Sequence, residues 1–331
     1  FRLLSESAPV MLWMSDGTGK CIHLNAELRA FWRAPEDLEQ FDFLATVHPD
    51  DRERLVAETL AAAAAQAPLE IESRSLRHDG AWRILQTRTR PRIGRDGEYL
   101  GMIGVNTDVT DARDAEAAVQ RQQRRQTFLL ALADRLRDLT DPGDIMIEVE
   151  RSLGAELGAD RVGYGEVDMA AGTVSMSRDW TAGVVSAEGL FQLSDLGEDL
   201  IADLAEGRSI RIPDVRQDPR TARAPTILSR LETRALVRAP LIRGGRLRAF
   251  LYVHDSDPRD WTDDEVALVE EVAARTWTEI ERTRAEVEVR ESEVRFRAIA
   301  DTAPVLIWVT NEDRTRAFVN QAYVAYNGGT Y

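Results

Sequence analysis

A short apolar stretch that occurs twice constrains this chain more than any other feature of its sequence. The segment Phe1–Trp13 reads FRLLSESAPVMLW, and Phe296–Trp308 reads FRAIADTAPVLIW, aligned without a gap. Further along, Asn25 recurs as Asn320 at the same offset. A gapless internal repeat indicates a duplicated module. The second copy stops at Tyr331, so we expect the chain to be a fragment of a longer protein.

Length and charge limit the classes of protein to consider. A chain of 331 residues allows two domains plus remnants. The formal net charge of −15 argues against nucleic-acid and anionic-membrane partners, because phosphates would be repelled. No apolar run approaches the ~18 residues of a membrane span. A single cysteine, Cys21, excludes an internal disulfide framework and fits a reducing compartment. The composition therefore predicts a cytoplasmic protein.

The first 111 residues predict two strands, short helices, a longer helix and then three strands. The first two strands are short apolar runs at 10–15 and 21–24, and the longer helix begins at His48-Pro49, where proline suits the first turn. Asp-Gly pairs separate the last three alternating runs, which indicates hairpins. This order, together with the stretches Val47–Arg52 (VHPDDR) and Asp108–Asp111 (DVTD), resembles a PAS domain. Residues 296–331 resemble the opening of a second one.

The region from 125 to 283 resembles a GAF domain. The resemblance rests on Ile212–Val215 (IPDV) followed by Asp218–Arg220 (DPR), and on Arg238–Leu241 (RAPL) before a glycine hairpin. Together the resemblances imply an α+β fold in which PAS and GAF domains, each an antiparallel sheet flanked by helices, are joined by long signalling helices. We expect a PAS domain at 1–111, a linker helix at 112–124, the GAF domain at 125–283, a coiled-coil linker at 284–295 and the truncated second PAS domain at 296–331.

The last helix of the GAF region has a clear beginning. Thr262 and Glu265 form a capping-box pattern, and neither glycine nor proline occurs from there to Arg297. Apolar or small residues then recur every seven positions, a partial coiled-coil seam. The seam consists of Ala273, Ile280, Val287 and Val294. We therefore predict that two copies pair as a parallel homodimer and that this helix relays the signal.

Aromatic side chains supply the candidate pockets, with two interpretations. They either stack on a flat ligand or fill the cores, as large aromatics usually do, and we favour the second. The candidate pocket residues are Trp13, Asn25, Phe31, Trp32, Trp82, Tyr164 and Trp180. Asp108 and Thr110 are either a latch between the last PAS strand and the linker helix or a solvated strand end with a helix cap, and the sequence does not decide between them.

Several cofactor chemistries lack their residues. No cysteine lies at 33–38, where a flavin-adduct photoreceptor of the PAS type would carry it, and none lies in the GAF region for a linked bilin. Cys21 falls on a strand and suits a packed small hydrophobe. The four histidines have no metal-ligand spacing. The sequence predicts no catalytic residue, no metal and no cofactor, and leaves an unidentified small ligand open.

Arrays of PAS and GAF domains resemble the input half of bacterial sensor histidine kinases. The resemblance implies a module that senses a signal and relays it to a kinase outside this chain, which phosphorylates its own histidine and then a response regulator. Two alternatives remain. The same input could precede a cyclic-di-GMP synthase or hydrolase, or the chain could be a ligand-free dimerisation scaffold.

Overall fold

The chain divides into two units, Phe1–Gln122 and Gln123–Tyr331, in a computed structural model that describes residues 6, 8–39, 41–221, 225–313 and 315–327. Each unit contains an antiparallel sheet flanked by helices, which confirms the predicted α+β class. None of the helices in the described part of the chain has the length and apolar composition that a membrane crossing requires.

The first unit follows the predicted order of elements. Its sheet has five strands in the order β2-β1-β5-β4-β3. A short 3₁₀ turn, Phe43–Thr46, precedes the longer helix. The elements are β1 (Met11–Ser15), β2 (Cys21–Leu24), α1 (Ala26–Trp32), α2 (Pro49–Ala64), β3 (Leu69–Leu76), β4 (Trp82–Ile93) and β5 (Tyr99–Asp108).

Helix α2 is fixed to β3 by charge. His48 caps the helix by accepting a hydrogen bond from the amide of Asp50, with Pro49 in the first turn. The carboxylate of Asp51 accepts hydrogen bonds from the backbone amide and the guanidinium of Arg74, at 2.8 and 3.0 Å. These bonds from Arg74 lower the pKa of Asp51 to about 2, because they stabilise the charged form. The motif that carried the PAS resemblance therefore holds a helix against the sheet.

The second unit is built on a seven-stranded sheet. Its main path runs β10-β11-β12-β6-β7-β9, and β8 pairs with β6 at the side. The helices before and within it are α3 (Thr110–Leu136), α4 (Pro142–Leu157), α5 (Glu198–Ala205), α6 (Pro225–Arg230) and α7 (Asp263–Thr302). The strands are β6 (Arg161–Asp168), β7 (Thr173–Met176), β8 (Trp180–Thr181), β9 (Gly189–Gln192), β10 (Ile210–Ile212), β11 (Ala235–Arg243) and β12 (Arg246–Asp255).

The two faces of this sheet have separate cores. One face, which we call the helical face, packs residues of β6, β11 and β12 such as Val162, Val237 and Leu251 against α3, α4 and α7. The other, which we call the loop face, packs Leu236 and Phe250 with apolar residues of α5, α6 and the chain between β7 and β10. Alternate residues of a strand point to opposite faces, so the central strands β11 and β12 contribute to both cores.

Helix α7 runs without a break for 40 residues and begins at the predicted capping box. Thr262 accepts from the Glu265 amide, and the Glu265 carboxylate accepts from the Thr262 amide. Ala273 and Ile280 are fully buried in the helical-face core, so they face their own domain and cannot pair with a second helix. The prediction of a four-residue seam is wrong for these two positions. The helix packs on the sheet as far as Arg284. Beyond that residue, Val287 and Val294 are exposed.

The second copy of the repeat forms β13 (Trp308–Thr310), β14 (Arg316–Val319) and α8 (Gln321–Tyr326). In the first copy Trp13 pairs with Leu24, and in the second Trp308 pairs with Val319. Both hairpins have a register shift at corresponding residues, between Met14 and Ser15 in the first copy and between Val309 and Thr310 in the second. The repeat in sequence is therefore also a repeat in strand register.

Candidate functional site

One asparagine organises each copy of the repeat. The Asn25 side chain accepts hydrogen bonds from the amides of Leu12 and Leu28 and donates to the carbonyl of Val10, at 2.7–3.2 Å. Asn320 makes the same three bonds, to Ile307, Tyr323 and Val305. Asn25 is buried and caps α1, so it joins the first strand to the helix. All of its described hydrogen bonds go to backbone, which is a structural role rather than a ligand contact.

The first unit contains a surface cleft of about 410 Å³ between α1 and the end of β5. Phe31 lies in its wall with Val10 and Met11, and the polar groups of the lining include Asn106 and Asp108. Asn106 also accepts a hydrogen bond from the Trp13 indole, at 3.2 Å. The Trp13 ring covers Gly104 so closely that any Cβ there would overlap it. Phe31 and Asn106 therefore lie in the wall of the cleft, and Trp13 is linked to that wall by its hydrogen bond to Asn106.

Trp32 packs on the same side of the sheet but away from the lining of that cleft. Its indole donates to the Ser75 hydroxyl at 2.9 Å, and its ring lies 5.9 Å from that of Phe41. The sheet face beneath is polar for a core, with the hydroxyls of Ser73, Ser75 and Thr89 buried. The Thr89 hydroxyl has no hydrogen-bond partner among the described residues. A sheet face of this kind suits a polar ligand better than a purely apolar one.

Trp82 does not belong to this interior. Its side chain is 44% exposed, and its ring packs edge-on against His48 at 4.8 Å. It lies at the first position of β4, opposite Leu76 at the end of β3, where the sheet edge meets solvent. The prediction that Trp82 points inward as a pocket residue is therefore wrong.

Asp108 and Thr110 join the end of β5 to the beginning of α3. The Thr110 hydroxyl donates to Asp108 at 2.7 Å and accepts from the Ile84 amide at 2.7 Å. Arg83 donates to Asp108 at 2.7 Å and to Asp111 at 2.9 Å. Burial raises the pKa of Asp108, but the bonds from Arg83 and Thr110 outweigh it and leave the pKa below its usual value. These contacts join the end of β5 to the first turn of α3, and Asp108 also lines the cleft beside Phe31.

The aromatic candidates of the second unit lie on its helical face. Tyr164 is buried, and its hydroxyl shares a hydrogen bond with Thr276 of α7 at 2.6 Å. The Trp180 ring covers Gly154 of α4, where a Cβ would overlap it. Both therefore fix α4 and α7 to the sheet, as the core-filling interpretation expected. Beside them Glu150 is fully buried without a hydrogen-bond partner among the described residues, and burial raises its pKa to about 9.

The loop face carries a charged network that the sequence interpretation missed. The buried guanidinium of Arg161 donates to the carbonyls of Val185 and Leu231 and lies 3.6 Å from the Asp179 carboxylate. The same carboxylate accepts from the Tyr252 hydroxyl at 3.1 Å and from Ser186 at 2.5 Å. Both carboxylate oxygens of Asp179 thus accept hydrogen bonds within the domain. This network anchors the loop after β8 to the sheet.

Two further buried polar residues stand beside this network. Arg238, on β11, is 1% exposed, and neither its Nε nor its Nη1 has a hydrogen-bond partner among the described residues. His254, on β12, is also buried, and its Nε2 has none. Burial and then the charges of Arg238 and Arg161 hold the pKa of His254 well below its usual value, so the ring is neutral. Charged residues at inward positions of alternating strands were the signal that could have found them.

Comparison with known proteins agrees with this architecture. The family model described as a PAS fold matches residues 29–106, and the one described as a GAF domain matches residues 124–280. An uncharacterized protein, y4lL, from Sinorhizobium fredii is 30% identical over 152 residues, which are 46% of this chain and 18% of that protein. The chain therefore spans less than a fifth of this relative's length.

Several solved structures are similar to this chain at low sequence identity. The GAF domain of PixJ from Thermosynechococcus elongatus in its blue-light absorbing form is 22% identical (TM-score 0.40) and covers 47% of this chain and 93% of its own. The GAF domain of a phosphoenolpyruvate-protein phosphotransferase from Coxiella burnetii is 16% identical (TM-score 0.43) and covers 50% and 96%. The bacteriophytochrome RpBphP3 from R. palustris is 14% identical (TM-score 0.45) and covers 89% and 64%.

Proposed function

We propose that this chain, which carries a PAS-fold domain followed by a GAF domain, is the signal-sensing and signal-relaying input module of a cytoplasmic sensor histidine kinase. The observation that carries the proposal is helix α7. It lies in the GAF core at one end and in the second copy of the repeat at the other. Sensing requires a binding event to reach an output, and this helix is a continuous route for it.

Both ends of α7 are held by specific contacts. Near its beginning, Val269 and Val272 are buried against the sheet, and Glu271 is bound by Arg125 of α3. At its last turn, the Asn320 side chain donates to the Ala300 carbonyl at 2.8 Å, and the Gln321 amide donates to Asp301. A helix held in this way moves as a rod, so a shift of the GAF core displaces the next module.

The PAS-fold domain has its own coupling between a cleft and a helix. The cleft wall includes Asp108. The same carboxylate accepts hydrogen bonds from Thr110, at the beginning of α3, and from Arg83 of β4. A ligand that donates hydrogen bonds to the Asp108 carboxylate competes with those bonds. Occupancy of the cleft by an unidentified small ligand would therefore loosen or tighten the first turn of α3, which is how this domain would report its signal.

The exposed half of α7 supports a parallel homodimer. From residue 285 to 299 the helix is exposed on every side, although Val287 (38% exposed) and Val294 (62%) stand seven residues apart on one stripe. An isolated helix with unburied apolar positions gains stability when a second helix covers them. The paired segment would be short, because the residues before Thr283 are already committed to the GAF core.

The output is tested on the full-length protein. We expect phosphate transfer from the γ-position of ATP to give an acid-labile, alkali-stable phosphohistidine, which then passes to a response regulator. Synthesis or hydrolysis of cyclic-di-GMP instead would replace the kinase assignment with the other sensory output. Absence of both activities would leave only a dimerisation scaffold and contradict the proposal.

The relay is tested by insertions that change the phase of α7. The insertion belongs after Glu288, beyond the contacts of Glu281 with Arg243 and of Arg284 with Glu166. Four added residues turn the downstream stripe away from its partner, whereas seven restore it. We expect the four-residue insert to lose or lock regulation in the full-length protein and the seven-residue insert to respond normally. Equal behaviour of both inserts would reduce the helix to a tether.

A further inference from the structure

Three hydrogen-bond donors on the loop face of the GAF sheet have no partner in the part of the chain that the structure describes. Two are the Nε–H and Nη1–H of Arg238. The third comes from the tautomer of His254. Its Nδ1 lies 3.3 Å from Nη1 of Arg161, and a guanidinium can only donate, so Nδ1 accepts and the proton of the neutral ring is on Nε2. The unpartnered Nε2 is therefore also a donor.

Strand register places the two residues that carry these donors on the same face of the sheet. Arg238 pairs directly with Tyr252, and His254 is two residues beyond Tyr252 on β12. Arg238 and His254 are thus diagonal neighbours on the same face, about 7–8 Å apart at their Cα atoms and within reach of long side chains. The Arg238 guanidinium lies 5.5 Å from the centre of the Phe250 ring, and the His254 ring stacks on Tyr252 at 4.8 Å.

The charges of the cluster do not balance. Arg161 is met by Asp179, whose oxygens are also used by Tyr252, Ser186 and the Ala187 amide. His254 is neutral. Burial lowers the pKa of Arg238 only to about 10, so at neutral pH the guanidinium keeps its charge and has no counter-ion among the described residues. A buried, unpaired charge is strongly destabilising, and the cost is removed when an anion binds.

The surroundings narrow the class of anion. One positive charge is unbalanced, so a monoanion neutralises it, whereas a phosphate dianion would leave excess negative charge in a buried site. The neighbours on this face, Leu236 and Phe250 among them, are apolar. We propose that the GAF domain binds a small monocarboxylate with an apolar body, its carboxylate held by Arg238 and His254. This inference rests on the sensory function proposed above and names the ligand class of its GAF domain.

The test uses the full chain after dialysis against buffer without carboxylates. Sodium formate, butyrate and benzoate are titrated at constant ionic strength against sodium chloride, and the side-chain Nε–H resonance of Arg238 is followed by NMR. We expect saturable one-to-one binding of at least one of the larger two. Arg238→Met should weaken it about 10- to 100-fold, since charged hydrogen bonds of this type contribute ~1.5–3 kcal/mol. Arg246→Met, on the exposed turn of the same hairpin, is the matched control and should bind normally.

Stability without ligand provides an independent check. If Arg238 is unpaired until an anion binds, Arg238→Met should unfold at the same or a higher denaturant midpoint than wild type in chloride. A lower midpoint, or failure of the variant to fold, would mean that Arg238 has a structural partner and would overturn the proposal. So would the absence of binding by all three carboxylates, or tighter binding of phosphate. None of these results would affect the insertion test of α7, which examines the relay alone.

Discussion

The buried carboxyl group of Glu150 should make the stability of the GAF domain fall as pH rises. The pKa of Glu150 in the folded protein is about 9 because of desolvation, aided by the charge of Asp179, whereas the ordinary pKa of a glutamate is 4.5. Between these values the folded protein holds a proton that the unfolded chain has released. The stability present below the unfolded pKa is therefore lost as pH rises toward the folded one. The slope is about 1.4 kcal/mol per pH unit.

Replacement by the neutral isostere isolates this effect. Over two pH units, from about 5.5 to about 7.5, the wild type should lose about 2–3 kcal/mol relative to Glu150→Gln, because the amide does not titrate. Hydrogen exchange of β11 and β12 amides in increasing urea reads the GAF sheet alone. Glu156→Gln, on the exposed side of the same helix, is the control and should follow the wild type. Parallel pH profiles for Glu150→Gln and wild type would refute a neutral, buried carboxyl group.

Three further substitutions test contacts within the two domains. Gly154→Ala should destabilise the GAF domain by about 1–3 kcal/mol, since the new methyl group overlaps the Trp180 ring; an unchanged urea midpoint would show that the ring can move aside. Asn25→Ala should cost the PAS-fold domain about 2–4 kcal/mol by removing a helix cap and leaving a buried amide unpaired, measured by thermal unfolding; a cost below about 1 kcal/mol would contradict its central role. Thr110→Val should speed exchange of the Ile84 amide without lowering the stability of the sheet by more than about 1.5 kcal/mol, and unaltered exchange would argue against the latch.

Local signals in the sequence mark several of the element boundaries. The Asp141-Pro142 pair begins α4, Gly158 ends it in the left-handed conformation, and the Thr262 capping box begins α7. These succeeded because caps and turns depend on a few neighbouring residues. The short elements between β7 and β10 were partly missed. Strand β9 and the 3₁₀ turn after it follow from packing on the loop face rather than from any periodic pattern.

Heptad spacing shows where sequence alone misleads. Ala273, Ile280, Val287 and Val294 form one stripe on a helical wheel, and spacing cannot tell which structure covers it. The GAF sheet covers the first two, and none of the described residues covers the last two. An apolar helical face records only that burial is favourable, since the hydrophobic effect has no preferred partner.

The sequence by itself determined the duplication and the antiparallel α+β fold, because repeated residues at identical spacing form the same strands and turns. The structure decided the role of Asn25 and Asn320, which join a strand to a helix through backbone hydrogen bonds. Only the tertiary structure decided which polar groups are buried without partners. Arg238 and His254 are 16 positions apart in the chain, and the pairing of β11 with β12 places them on the same face of the sheet. Whether a counter-charge lies beside Arg238 depends on everything packed around that residue, and no local pattern of residues can express it.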